Sequence, residues 1–156
     1  MGDFERAMSV MAELFGKDCA FALATAGENV PSVRMVDMYY ENGAFYVVTY
    51  ANSRKVRELE ANERVAMCAQ AHRFSGAARN IGHPLRPQNA AIRQSLTRVF
   101  APWYFKHNDE GDENMCYVKI EPRRGFFYQN GTGYDVDFEN KEVKSFPFVF
   151  DAVLPE

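Results

Sequence analysis

The chain has 156 residues, of which 47% are hydrophobic and 25% are charged, a composition that is typical of a folded protein and excludes a largely disordered one. This length suits one domain over residues 1–156, large enough to bury a core without disulfides or a structural metal. The net charge of −3 gives no general reason to expect nucleic acid as a partner.

The N-terminal segment has no features of a leader peptide or a membrane anchor. Residues 1–16 include Asp3, Glu5, Arg6 and Glu13 and contain no long apolar run. We therefore expect no signal peptide, no membrane span and a cytoplasmic location. The three cysteines are widely spaced and form no CxxC pair, which speaks against a disulfide framework and against a zinc site.

The first half of the chain predicts one helix followed by short strands. Apolar residues recur at helical spacing over 3–15, with Asp3 as a possible N-cap and Gly16 as a stop signal. Apolar runs separated by turn residues then predict strands over 19–25, 31–40, 44–50, 64–71 and 74–81. Because Gly27-Glu28-Asn29 and Asn42-Gly43 are hairpin signals, the first three strands should form an antiparallel meander.

Two more helices and three more strands complete the expected elements. Ser53 precedes a run of good helix formers, which predicts a helix over 54–61 capped by Ser53. An apolar stripe predicts a long helix over 88–106. After an acidic loop, we expect strands over 116–121, 125–129 and 134–138, and an apolar tail over 146–154 that docks on the protein.

These elements define the expected fold class. The predicted strands are short, the helices are few, and strands and helices do not alternate as in a parallel α/β fold. The sequence therefore predicts a mainly β protein, an antiparallel β-barrel with flanking helices.

The strongest local signal for a ligand is a set of cations and hydroxyls around the helix start at Ser53. Arg34 lies on a predicted strand, Thr49 ends the next strand, and Ser53, Arg54 and Lys55 open the helix. A helix N-terminus presents unpaired N–H groups and a partial positive charge, so this pattern suits a phosphate group. The alternative, which is the more common case for any one of these residues alone, is a simple helix cap with solvated surface cations.

In order and spacing, residues 19–81 resemble the pyridoxamine 5′-phosphate oxidase-like FMN-binding split β-barrels. The resemblance rests on four segments, which are Val33-Arg34-Met35-Val36, Thr49 followed by Ser53-Arg54-Lys55, Asn62-Glu63-Arg64-Val65-Ala66, and Phe74-Ser75-Gly76-Ala77-Ala78. It implies a split β-barrel, and a homodimer that binds FMN between its subunits.

The resemblance also implies which residues contact the cofactor. Those expected around the FMN phosphate are Arg34, Ser53, Arg54 and Lys55, while those expected beside the rest of the flavin are Thr49, the backbone around Met35 and Val36, and Gln70 as a hydrogen-bond partner of the ring. Separately from the resemblance, Trp103 at the end of the predicted long helix is a candidate to stack on the flavin of the partner subunit. For Trp103, packing in the core or at the dimer interface is the alternative.

Two departures separate this chain from the vitamin B6 oxidases of that family. Tyr39 stands where those enzymes place a further phosphate-binding lysine, and residues 143–156 contain neither the tryptophan nor the arginine with which they hold pyridoxal phosphate. The chain therefore looks more similar to the general-stress-protein and uncharacterised flavin-reductase branches.

The resulting functional hypothesis is an FMN-dependent oxidoreductase that reduces a small molecule with electrons from NAD(P)H. Because a flavin ring itself carries the electrons, no catalytic side chain is assigned. The scattered histidines predict no metal site. Two alternatives remain open, namely a non-catalytic protein that stores or senses flavin or haem, and a deazaflavin-dependent reductase.

Overall fold

The protein is an antiparallel β-barrel whose strands are joined by short turns and, in two places, by helical segments. The computed structural model describes residues 1–150. Within them, the strands are β1 (Cys19–Gly27), β2 (Val30–Glu41), β3 (Ala44–Tyr50), β4 (Arg64–Ala69), β5 (His72–Gly82), β6 (Met115–Gln129), β7 (Thr132–Asp137) and β8 (Glu142–Pro147). The helices are α1 (Asp3–Phe15), α2 (Arg54–Ala61), α3 (Ala90–Val99) and α4 (Tyr104–His107), with a short 3₁₀ turn at Pro87–Asn89 before α3.

Six of the strands close into a ring. They follow the order β3-β2-β1-β4-β5-β6, and pairing of β3 with β6 completes the circle. Strands β7 and β8 continue the sheet from the second half of β6 and stand outside the ring. The predicted antiparallel barrel with flanking helices is confirmed.

The predicted meander of β1, β2 and β3 is also confirmed. Both of its turns place two residues in the left-handed region, with φ of 50° and 64° at Glu28 and Asn29 and of 47° and 88° at Asn42 and Gly43. This backbone matches the twist of an antiparallel pair, which is why Asn-Gly is favoured there.

Aromatic rings fill the barrel interior. The rings of Phe21, Phe45 and Phe74 lie 5.2–6.3 Å from one another, and Phe15 of α1 packs against all three. Helix α1 spans the predicted residues, but its N-cap is Gly2 and not Asp3. Asp3 lies instead in the first turn, where its carboxylate interacts favourably with the helix dipole.

Helix α2 is confirmed together with its cap. The Ser53 hydroxyl accepts a hydrogen bond from the Val56 N–H at 3.4 Å. Val56 and Leu59 are buried in the barrel core. The cap and these two anchors fix the N-terminus of α2 beside the ends of β1 and β3.

The prediction of one long helix over 88–106 is wrong. Helix α3 ends at Val99, and α4 begins only at Tyr104. Pro102 explains the interruption, because proline lacks the N–H of a helical hydrogen bond and disfavours helical backbone at the residue before it. Leu96, Phe100 and Tyr104 nevertheless remain buried, in a second core on the outer side of the barrel.

The prediction of separate strands over 116–121 and 125–129 is also wrong, because β6 runs through both. Its pairing with β5 shifts register between Ser75 and Gly76, opposite Pro122. A Cβ at Gly76 would collide with the backbone of Glu121, so glycine allows the strands to approach there. The bulge lets a proline lie inside a strand.

The predicted docking of the tail is confirmed as far as Phe150. The Phe148 ring lies 4.9 Å from Phe126, and Phe150 stacks on Tyr128 at 5.6 Å. The remainder of the predicted tail, 151–154, lies outside the described residues. Over residues 1–150, no helix has the length and apolar character needed to cross a bilayer.

Candidate functional site

The barrel is open between β2 and β3. The two strands pair only over Tyr39–Glu41 of β2, whereas β3 pairs with β6 from Phe45 to Tyr50. Among residues 1–150, the backbone of β2 before Tyr39 therefore has a strand partner on the β1 side only. We call this gap the β2–β3 opening.

Four of the predicted ligand residues lie together beside this opening, and we call them the cationic cluster: Arg34, Thr49, Ser53 and Lys55. Lys55 Nζ donates a hydrogen bond to Thr49 Oγ1 at 3.0 Å. Burial lowers the pKa of the Lys55 ammonium, and the positive charge of Arg34 lowers it further. Lys55 therefore lies in a half-buried position within electrostatic reach of a second cation.

Arg34 is held by its own strand neighbours. Its Nη1 donates to the Leu23 carbonyl oxygen at 3.3 Å and to Thr25 Oγ1 at 2.6 Å. Within residues 1–150, neither Arg34 nor Lys55 forms a salt bridge with an acid. Since two cations that lie close together repel each other, an anion bound between them is the natural counter-charge.

Glu58 organises the neighbouring hydroxyls. Its carboxylate accepts hydrogen bonds from Thr25 Oγ1 at 2.6 Å and from Ser32 Oγ at 3.1 Å. It also accepts one from Arg54 Nε at 2.8 Å. These donors, with Thr25 first, hold the pKa of Glu58 below its usual value. Arg54 thus points along α2 towards Glu58 and not towards Lys55.

Sequence reasoning missed Thr25, Ser32 and Glu58. Thr25 and Ser32 are paired across the β1–β2 hairpin, and α2 places Glu58 against them. Hydroxyl residues on strands and a glutamate on a charged helix are common, so no spacing signal marked them. Only the pairing of the elements brings the three together.

The remaining predicted residues do not join the cationic cluster within this chain. Met35 faces outward and is 65% exposed, while Val36 is half-buried against the barrel core. Gln70 lies in the β4–β5 turn, where its Oε1 accepts a hydrogen bond from the Tyr128 hydroxyl at 3.1 Å. Trp103 packs on Phe100 and donates to Asp18 Oδ2 at 2.9 Å.

His72, one of the three scattered histidines, is buried at the start of β5. Its ring stacks on Tyr128 at 4.1 Å and meets Phe15 edge-on at 5.1 Å. Burial lowers its pKa, and its Nδ1 has no hydrogen-bond partner among the described residues. This environment favours a neutral imidazole that packs as an aromatic ring.

A separate groove of about 440 Å³ lies on the outer face of the barrel, across β1, β4 and β5. Small and apolar side chains line much of it, including Ala22, Ala24, Val33 and Ala66. It contains no member of the cationic cluster. Val33 is 68% exposed, so together with Met35 it extends an apolar surface along the outer face of β2.

The donor set of the cationic cluster fits the phosphate of a flavin nucleotide. It combines a guanidinium, an ammonium, a hydroxyl and the first N–H groups of α2, which are the groups that bind phosphates at helix N-termini. The adjoining β2–β3 opening leaves strand backbone next to the cluster, where a planar ring system needs hydrogen-bond partners.

A split antiparallel barrel with a cluster of cations and hydroxyls at its opening is the class of fold and site found here. Within that class, the chain belongs to the pyridoxamine 5′-phosphate oxidase family, whose sequence model matches residues 9–129. No curated protein matches the chain by sequence.

Solved structures share this fold at low sequence identity. A pyridoxamine 5′-phosphate oxidase-related, FMN-binding protein from Nostoc punctiforme is 15% identical, with a TM-score of 0.59 over 96% of this chain and 98% of that one. General Stress Protein 26 from Bacillus anthracis is 19% identical, with a TM-score of 0.56 over 81% of this chain and 93% of that one. A protein described as an F420 reductase is 18% identical, with a TM-score of 0.55 over 71% of this chain and 91% of that one. At these identities the likeness concerns the fold alone.

Proposed function

We propose that the protein binds FMN and acts as an oxidoreductase that reduces a small molecule with electrons from NAD(P)H. The observation that carries the proposal is that two cations, Arg34 and Lys55, lie within electrostatic reach of each other at the β2–β3 opening. Among residues 1–150, neither forms a salt bridge with an acid. FMN ends in a phosphate that is largely dianionic at neutral pH, which matches two cations.

In this proposal the cationic cluster supplies the phosphate contacts. Arg34 offers a planar fork that can hold two oxygens, and Lys55 offers a point charge beside the helix N-terminus. Ser53 fixes that N-terminus through its cap. Arg54 has a lesser role because its guanidinium already contacts Glu58. The backbone around Met35 and Val36 lines the opening next to the ring.

The active unit in this proposal is a homodimer of single-domain chains, with FMN between the subunits. Val33 and Met35 support it, because exposed apolar side chains on one face of a strand are typical of an interaction surface. In this arrangement Trp103 and Gln70 act on the flavin ring away from the phosphate, and Trp103 does so from the partner subunit. A monomer that still binds FMN tightly in sedimentation would refute this assembly.

When bound, FMN supplies the hydride and electron transfer, and the protein supplies orientation, electrostatics and access. The chain holds the phosphate with Arg34 and Lys55, so the ring is fixed relative to β2. Residues 143–156 lack a tryptophan and an arginine. We therefore do not propose pyridoxamine phosphate as the substrate.

The visible spectrum of the purified protein, with mass analysis of the released ligand, tests the cofactor. We expect flavin absorbance and the mass of FMN. A Soret band would favour haem, and the mass of a deazaflavin would favour the reductase of that class. A colourless protein that also fails to take up added FMN would contradict the proposal.

Turnover is tested separately from binding. Oxidation of NADH or NADPH is followed with quinones, nitroaromatics and disulfides as acceptors. Reduction of at least one acceptor is expected from the FMN-loaded protein. Tight FMN binding without turnover on any acceptor would instead identify a flavin-storage or flavin-sensing protein.

A further inference from the structure

Arg34 is connected to α2 by a chain of hydrogen bonds that runs through one buried hydroxyl. Arg34 Nη1 donates to Thr25 Oγ1 at 2.6 Å, and Thr25 Oγ1 donates to Glu58 Oε2 at 2.6 Å. Thr25 is only 2% exposed. The central hydroxyl of this connection is therefore shielded from bulk water.

The direction of these hydrogen bonds is fixed by the chemistry of the three groups. A hydroxyl has one proton to donate and two lone pairs to accept with, a carboxylate only accepts, and a guanidinium only donates. Because the Thr25 hydroxyl donates its hydrogen bond to Glu58, its lone pairs remain free to accept a hydrogen bond from Arg34. A hydroxyl polarised by a carboxylate is also a better acceptor.

The same bonds orient the guanidinium. Both Nη1 hydrogens have acceptors, the Thr25 hydroxyl and the Leu23 carbonyl oxygen. Within the described residues, the Arg34 Nε and Nη2 hydrogens have no hydrogen-bond acceptor. Fixing one arm of a long side chain in this way removes rotamer freedom before a ligand binds.

Glu58 itself is fixed from its other side. Ser32 Oγ and Arg54 Nε both donate to Oε1, which leaves Oε2 for Thr25. Each carboxylate oxygen thus has its own partners, and the carboxylate cannot rotate without losing hydrogen bonds. The hydrogen bond from Arg54 to Glu58 also explains why Arg54, at the start of α2, points away from Lys55.

We propose that Thr25 and Glu58 are positioning residues that pre-orient Arg34 for the phosphate of the flavin, an inference that rests on the proposed function. They act through Arg34 and do not contact the ligand. Their contribution is therefore specific to phosphate-bearing ligands and disappears when Arg34 is absent.

We call the hydrogen-bonded chain Arg34–Thr25–Glu58 the relay. Two variants test it, and a third serves as a matched control. Thr25→Val removes the hydroxyl at nearly constant shape, and Glu58→Gln removes the charge at constant shape. Thr25→Ser keeps the hydroxyl and loses only a methyl group. Affinities for FMN and for riboflavin, which lacks the phosphate, are measured by flavin fluorescence quenching.

We expect Thr25→Val to weaken FMN binding about five- to tenfold, as for the loss of one hydrogen bond, with riboflavin changed less than about twofold. Thr25→Ser should keep FMN affinity within about twofold of the wild type. In an Arg34→Ala background, Thr25→Val should have no further effect on FMN, because the group it positions is gone.

The direction in which Glu58→Gln changes FMN affinity distinguishes two roles for Glu58. If Glu58 acted only as a nearby negative charge, its neutralisation would strengthen binding of a dianion. The relay predicts the opposite, a weaker affinity for FMN with riboflavin unaffected. Unchanged or tighter FMN binding by Glu58→Gln contradicts the relay even if Thr25→Val fails to fold.

The outcomes separate this inference from the proposed function. If Arg34→Ala weakens FMN and riboflavin equally, Arg34 does not bind the phosphate and the phosphate assignment in the proposed function is wrong. If Arg34→Ala is selective for FMN but Thr25→Val leaves FMN affinity unchanged, only the relay is wrong. Equal losses of both ligands in Thr25→Val would identify a purely structural threonine.

Discussion

Replacing Lys55 by methionine tests the electrostatic basis of the cationic cluster. Methionine keeps much of the length of the lysine side chain but removes its charge and its hydrogen bond to Thr49. Burial and the charge of Arg34 lower the pKa of Lys55, so this ammonium is poorly solvated and repelled in the free protein. An anion bound there supplies the favourable charge interaction that the ammonium does not have in the free protein.

The magnitude follows from the group that is lost. A hydrogen bond to a charged group contributes about 1.5–3 kcal/mol, which corresponds to an FMN affinity about ten- to a hundredfold lower in Lys55→Met. Riboflavin should lose almost nothing because it has no phosphate. The ligand-free variant should unfold at the same temperature as the wild type or higher, since desolvation of the ammonium and its repulsion by Arg34 are removed.

Titration of both flavins against wild type, Lys55→Met and Lys144→Met is the assay. Lys144 is an exposed lysine on β8, so Lys144→Met makes the same change in net charge away from the cluster. In wild type, FMN affinity should fall as pH rises through the lowered pKa of Lys55, whereas Lys55→Arg should keep its affinity. Equal losses of FMN and riboflavin in Lys55→Met, or an equal FMN loss in Lys144→Met, would refute the reasoning.

Three other predictions concern regions outside the cluster. Burial and a hydrogen bond with Asp18 raise the pKa of Asp37 to about 6, so its stabilising contribution is present at acid pH and is lost as pH rises through about 6. Asp37→Asn should abolish this pH dependence of the free energy of unfolding, as measured in urea on both sides of that pH. Tyr104→Phe removes a buried hydroxyl that bonds two partners and should lower the free energy of unfolding by about 1–3 kcal/mol, as measured in urea. Phe45→Ala empties the centre of the barrel and should cost about 3–5 kcal/mol in the same assay, so a loss under about 1 kcal/mol would contradict the packing.

Local rules predicted the elements that depend on neighbouring residues. The Ser53 cap and the Asn42-Gly43 turn involve contacts within a few residues, and both were read from the sequence. Arg34, Thr49 and Lys55 were grouped by their order around the start of the predicted helix and by the family resemblance, and the structure places Lys55 against Thr49.

Elements that depend on distant partners were predicted less well. The strand predicted over 116–121 stopped before Pro122, yet β6 continues through this proline because Gly76 on β5 accommodates it. Pro102 was available as a helix-breaking signal, but the apolar stripe on both sides of it favoured one helix. Thr25 and Glu58 carry no local signal, since their contact joins β1 to α2.

Closure of the barrel has a consequence for how fast the chain folds. The ring is completed when β3, from the first third of the chain, pairs with β6, from the last third. Contacts between distant segments must overcome a large loop-closure entropy before they contribute stability, so folding belongs to the slow, millisecond-to-second range of β-rich proteins. Arg34, Thr49 and Lys55 lie in β2, β3 and α2, which follow one another along the chain. These two strands and the helix can assemble by short-range steps. Thr49, however, gains its partner Cys116 only when β3 pairs with β6.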